Sequence, residues 1–177
     1  MHTFLVEPMT VAQIASIVVV LAACVPDVRT RRIPNALTFG AALAAATFHG
    51  ATSGWSGLLV SVAGWMVGAA LFFPFFALRG MGAGDVKLMA AVGAWLGPLM
   101  VLWAALFTSL AGGVIGLAVA AAHGYHRTAV MNVSALIGFW RVAGIRPLPE
   151  LSLEGPAPRL AYAVPIAIGT VATLWLK

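Results

Sequence analysis

The chain has 177 residues, of which 62% are hydrophobic and only 8% charged, and its mean hydropathy is +1.00. A water-soluble domain carries about 25% charged residues, so too few are present to cover a globule and a bilayer is the natural solvent. The net charge of +5, without a basic-aromatic cluster, points to loops at a membrane surface rather than to nucleic acid, and the single Cys24 excludes an internal disulfide framework and a cysteine-built zinc site.

The first uncharged run, at about 8–26, is long enough to cross a hydrocarbon core of about 30 Å. It closes on the cluster Asp27, Arg29, Arg31 and Arg32. Leu21-Ala22-Ala23-Cys24 has the form of a lipoprotein signal box. Residues 1–13 hold no Lys or Arg, however, so the basic n-region is missing and the run reads as a span. A second span covers about 33–48, with Pro34 acceptable in its first turn. Residues 49–56 (HGATSGWS) read as a short polar turn, and a third span at 57–78 ends at Arg79.

The loop GMGAGDVK follows, and then 88–122 carries no charge at all. That stretch is long for one helix and sufficient for two, with the break at Gly97-Pro98. The last span is 160–176. Between them, 123–158 reads as a cytoplasmic connection. Its apolar stretch 129–140 is too short to cross and lies at the interface or re-enters. His123 and His126 are too few for a metal site, and Asn132-Val133-Ser134 is a glycosylation sequon by form only. Two GxxxG patterns, Gly64 to Gly68 and Gly112 to Gly116, suit close helix packing or a homodimer face.

Charge decides the orientation. With the N-terminus outside and six spans, Arg29, Arg31, Arg32, Arg79, Lys87, Arg127, Arg141, Arg146 and Arg159 all fall inside, and only Lys177 falls outside. Reading 88–122 as one helix would translocate three of those arginines and erode the bias. The expectation is therefore an all-α polytopic bundle of about six transmembrane helices, both termini outside, forming one domain over 1–177.

The chain has two aspartates, Asp27 and Asp85. Far apart in sequence, they come to one depth on the inner side. Ionisable groups near hydrocarbon usually face a bundle interior or a water-filled cavity. Two carboxyls brought together there would share a proton, so that one accepts from water while the other donates to a carbonyl oxygen. A plainer reading stands beside it: Asp27 pairs with Arg31 at i+4, and Asp85 is a helix-start carboxylate favoured by the macrodipole. The alternating Gly80, Gly82 and Gly84 before Asp85 tolerate φ > 0 and close backbone approach, which suits a substrate strand passing the acid. A dinucleotide site needs a preceding soluble strand, and here a membrane span precedes it.

These residues resemble the prepilin peptidases, membrane aspartic proteases of the GxGD type. Gly82-Ala83-Gly84-Asp85 matches GxGD, with Lys87 as the lysine that often follows. Asp27 to Asn35 (DVRTRRIPN) looks like the first-aspartate motif, and Tyr162 to Gly169 (YAVPIAIG) is similar to the family's last helix. The resemblance runs over about 18–169. It departs at Ala161, where a proline is expected nearby, and in lacking the cysteine-rich segment that goes with methyltransferase activity. The chain looks like the short, peptidase-only form of Flp/tight-adherence pilus systems, or like the archaeal preflagellin peptidases.

The resemblance implies an endopeptidase of the inner membrane that removes prepilin or pseudopilin leaders after a glycine, on the cytoplasmic side. Asp27 and Asp85 are the implied catalytic pair, without cofactor or metal. Gly82, Gly84, Pro34 and Asn35 shape the loops, and Lys87 and Arg29 support them. Lys87, two positions from Asp85, points to another helix face and suits snorkelling to lipid phosphates. The alternative is a non-catalytic membrane scaffold, or a proton or cation pathway that uses Asp27 and Asp85.

Overall fold

The computed structural model describes residues 9–77, 80–122 and 161–176, and every regular element among them is helical. Helix α1 is Val11–Thr30, α2 is Asn35–Ala77, α3 is Ala83–Ala122 and α4 is Ala163–Leu176. The first three are long and apolar enough to cross a membrane. The 123–158 connection, with His123, His126 and its apolar stretch, lies outside the described residues, as do Arg79 and Lys177.

Helix α1 starts later and ends later than its uncharged run. Thr10 and Gln13 form a reciprocal capping box that fixes the start at Val11. The helix then runs through Pro26, and Arg31 closes it in the left-handed region (φ 55°), its N–H bonded to the Asp27 carbonyl. Asp27 therefore sits in the last turn rather than beyond the helix. Its inward face reads Ser16, Val20, Ala23, Asp27, steps of four, three and four that make a single stripe.

Two glycines break the long helices. Gly54 (φ 62°, ψ −147°) interrupts α2, and Gly97 (φ 79°, ψ 173°) interrupts α3 immediately before Pro98. Each break folds the chain back on itself. A Cβ on Gly57 would run into the His49 carbonyl, and one on Gly93 would lie 3.2 Å from Val101 Cγ2. Residues eight apart in a continuous helix are about 12 Å apart. The described residues thus make six helical rods: α1, 35–53, 55–77, 83–96, 98–122 and α4. The expected break at Gly97-Pro98 is found. The expected polar turn at 49–56 is helix except at Gly54, because that one residue supplies the reversal.

The 83–96 limb of α3 is the central rod, with Asp85, Val86 and 88–95 all buried. Limb 55–77 runs antiparallel beside it. Gly64 faces Gly93 so closely that a Cβ on either would meet the other's carbonyl oxygen, and a Cβ on Gly68 would lie 2.5 Å from the Met89 carbonyl. The Gly64–Gly68 pattern is therefore used inside the bundle. Gly112 is likewise covered, by Tyr162, whereas Gly116 faces open space. Pro98 offers no N–H to the Ala94 carbonyl, and Ser61 Oγ donates to it instead at 2.9 Å. His49 Nε2 lies 3.1 Å from the neighbouring Trp95 carbonyl. Helices α1 and α4 pack on α3 and on each other, joined through a core of Val20, Phe72, Leu88, Met89, Val92 and Ile166. Leu43, Trp55, Leu99, Val114 and Trp175 point outward, as expected where the surroundings are lipid.

Candidate active site

Four chain segments meet at one end of the bundle: the end of α1, the residues leading into α2, the start of α3 and the start of α4. Asp27 closes the inward stripe of α1 and is only 5% exposed. Its Oδ2 accepts the Ala163 N–H, the first of α4, at 2.9 Å. Asp85 lies in the first turn of α3 and is 8% exposed. Its Oδ2 accepts the Gly82 N–H at 3.1 Å, while the Gly82 carbonyl accepts the Asp85 N–H at 3.2 Å. The bond from the Gly82 N–H is the one an acid at the third helical position makes in a capping box, so the helix-start reading of Asp85 is realised. The reading that pairs Asp27 with Arg31 is not: among the described residues no ion pair joins them, and the Arg31 N–H bonds to Asp27 through the main chain alone.

The two carboxyls are brought within electrostatic reach of each other, since the charge of Asp27 acts on Asp85. Both are buried and both have one oxygen held by a backbone N–H. Together they have what proton exchange with a bound water requires: an acceptor and a donor at one place, each with its second oxygen outside that backbone bond.

The glycines work by closeness rather than by handedness. Among the described glycines only Gly54 and Gly97 have positive φ, so the expectation that the loop before Asp85 draws on that freedom is not met. A Cβ on Gly84 would lie 3.2 Å from Ile33 Cβ, and one on Gly82 would lie 3.1 Å from Asp85 Oδ2. Gly84 admits the Ile33 side chain, and Gly82 admits the carboxyl folded back over its own N–H.

Lys87 and Asn35 are also brought together, which their separation in sequence did not foretell. Lys87 Nζ donates to Asn35 Oδ1 at 2.8 Å and lies 5.4 Å from the centre of the Phe39 ring. The ammonium therefore ties the start of α2 to the start of α3 instead of only reaching for lipid phosphates. Pro34 precedes α2, and its carbonyl accepts the Leu37 and Thr38 N–H groups. Arg29 is exposed in the last turn of α1, where a cation suits the helix dipole.

The residue that sequence reasoning left without a part here is Tyr162. It adjoins Ala163, its ring lies along Gly112, and the charge of Asp85 acts on its phenol. Its place in YAVPIAIG was the one signal available. Among the described residues, no three of His, Cys, Asp and Glu gather as a metal would require.

Residues 14–117 match the model of the Type IV leader peptidase family. The match includes Asp27, Asp85 and the glycines before it, and stops short of Tyr162 and α4. The comparisons with curated proteins and with solved structures gave no match.

Proposed function

Because the chain belongs to the type IV leader peptidase family, a family of proteases acting in the membrane, we propose that it is an aspartic endopeptidase that removes the leader of type IV or Flp prepilins after a glycine. The observation that carries this reading is the meeting of Asp27 and Asp85, both buried, at one end of the bundle. One carboxylate takes a proton from water as the water oxygen attacks the scissile carbonyl carbon. The other carboxyl gives its proton to the carbonyl oxygen. Collapse of the tetrahedral species breaks the C–N bond, and the leaving nitrogen takes up a proton from the pair. The six rods are six crossings, with both chain ends outside and the aspartates at the cytoplasmic face. The charge bias supports that orientation.

The test is co-expression of candidate prepilin precursors with wild type, Asp27→Asn and Asp85→Asn, reading the new N-terminus by mass. Cleavage after glycine is expected from wild type, and none from either variant although both insert. Full activity in either variant sinks the two-aspartate mechanism. Aspartate-dependent ion flux in liposomes, without proteolysis, would replace it with the pathway reading.

A further inference from the structure

We propose that Tyr162 is a third catalytic group, whose phenolic O–H donates to the carbonyl oxygen of the scissile peptide while the two carboxyls move the protons. The proposal rests on the peptidase reading above and adds to it the donor that receives the developing oxyanion.

Position comes first. The Ala163 N–H holds Asp27 Oδ2 at 2.9 Å. Consecutive Cα atoms are about 3.8 Å apart, so the Tyr162 backbone stands beside that carboxyl. Its ring then runs along α3. A Cβ on Gly112 would lie 3.3 Å from Tyr162 Cε1 and 3.6 Å from its hydroxyl oxygen, so a glycine leaves the space that the phenol fills.

Gly112 lies at the depth of the acids. Helix α3 turns back at Gly97. Asp85 stands about 18 Å before that turn and Gly112 about 22 Å after it, at 1.5 Å per residue. The phenol therefore reaches the level of Asp85, in keeping with the action of the Asp85 charge upon it.

Chemistry selects the role. A buried carboxyl pair leaves little room for a cation, which would bind one carboxylate permanently and take it out of proton exchange. A phenol is neutral at working pH and donates without giving up its proton. Three other side-chain donors near this end are each engaged elsewhere. Lys87 is on Asn35, Thr30 Oγ1 is on the Pro26 carbonyl at 2.8 Å, and Thr38 Oγ1 is on the Asn35 carbonyl at 3.2 Å. A fixed donor aimed at the oxygen where charge develops acts mainly in the transition state, and removing one costs about 10²–10³ in kcat.

The experiment uses the full chain in lipid nanodiscs, with a prepilin that wild type cleaves, and separates kcat from KM. For Tyr162→Phe, which keeps the packing against Gly112, kcat is expected to fall about 100-fold with KM within about twofold. A kcat within about threefold of wild type means the ring merely packs, and overturns the proposal. So does a raised KM with kcat unchanged, which marks a contact made equally in the ground state. Should Tyr162→Phe not accumulate in the membrane, Tyr162→His, which keeps a ring and a donor, decides: kcat within about tenfold of wild type is expected, and a loss to background overturns it. If wild type cuts no prepilin, the peptidase reading falls and this proposal falls with it. If wild type cuts and Tyr162→Phe cuts as well, only this proposal falls.

Discussion

Replacing Gly64 by alanine tests the packing that sets the central rod in place. The new methyl would meet the Gly93 carbonyl oxygen and lie 2.9 Å from the Gly97 Cα. Both obstacles are backbone, so no side chain can rotate away, and in a close-packed interior the two rods must separate by about 1 Å. Overpacking of that kind costs about 1–3 kcal/mol. The upper half applies here, because Ser61 Oγ would also be drawn from the Ala94 carbonyl. Alanine returns about 0.5–1 kcal/mol through its better helix propensity. The net loss is about 2 kcal/mol, or up to about 30-fold in the ratio of folded to unfolded protein. Unfolding in mixed micelles with increasing SDS measures it, with Gly116→Ala as control. A Cβ on Gly116 meets nothing within 4 Å, so that variant should be unchanged or slightly more stable. If Gly64→Ala proves as stable as Gly116→Ala, the rods do not cross at these glycines and the register of α2 on α3 is wrong.

Two further predictions concern the segments next to the aspartates. Lys87→Met and Asn35→Ala should each slow cleavage by about tenfold, and the double variant should be no worse than either, because one tether is lost in all three; additive losses in that double-mutant cycle would refute the tether. Gly84→Ala should slow cleavage by crowding Ile33 Cβ, and Ile33→Gly in the same chain, which removes that atom, should restore most of it. Failure of the second substitution to restore activity would show that Gly84 is needed for something other than admitting Ile33.

Much of this architecture could be read from composition and spacing, and the exceptions have physical causes. The Gly97-Pro98 break was legible because glycine supplies the positive φ and proline removes the N–H that would continue the ladder. The Gly54 break was less so, since the polar residues around it suggested a loop while the chain reverses at one residue. Asp27 and Asp85 stood out as the two aspartates of an apolar chain. What joins them did not. The bond from the Ala163 N–H to Asp27 is made by backbone, which leaves no mark in side-chain pattern. The bond from Lys87 to Asn35 spans 52 positions, and each residue alone has an ordinary reading as a surface group. Tyr162 belongs with these, because its place beside the site depends on where the reversal at Gly97 brings Gly112.

The site is built at helix ends for a reason that follows from the solvent. A carboxylate at membrane depth needs hydrogen bonds that water does not supply there. The first N–H groups of a helix need acceptors that the helix itself does not provide. Asp85 meets the Gly82 N–H at the entry to α3, and Asp27 meets the Ala163 N–H at the entry to α4. Each pairing satisfies both sides with no added charge, and helix starts favour a negative partner. It also explains why asparagine is the informative replacement. A carboxamide oxygen still accepts from the same N–H, so Asp27→Asn should keep α4 on α1 while removing the carboxyl that the proposed mechanism uses for proton exchange. Alanine at either position would leave a helix-start N–H without its acceptor, and loss of cleavage would then say as much about folding as about chemistry.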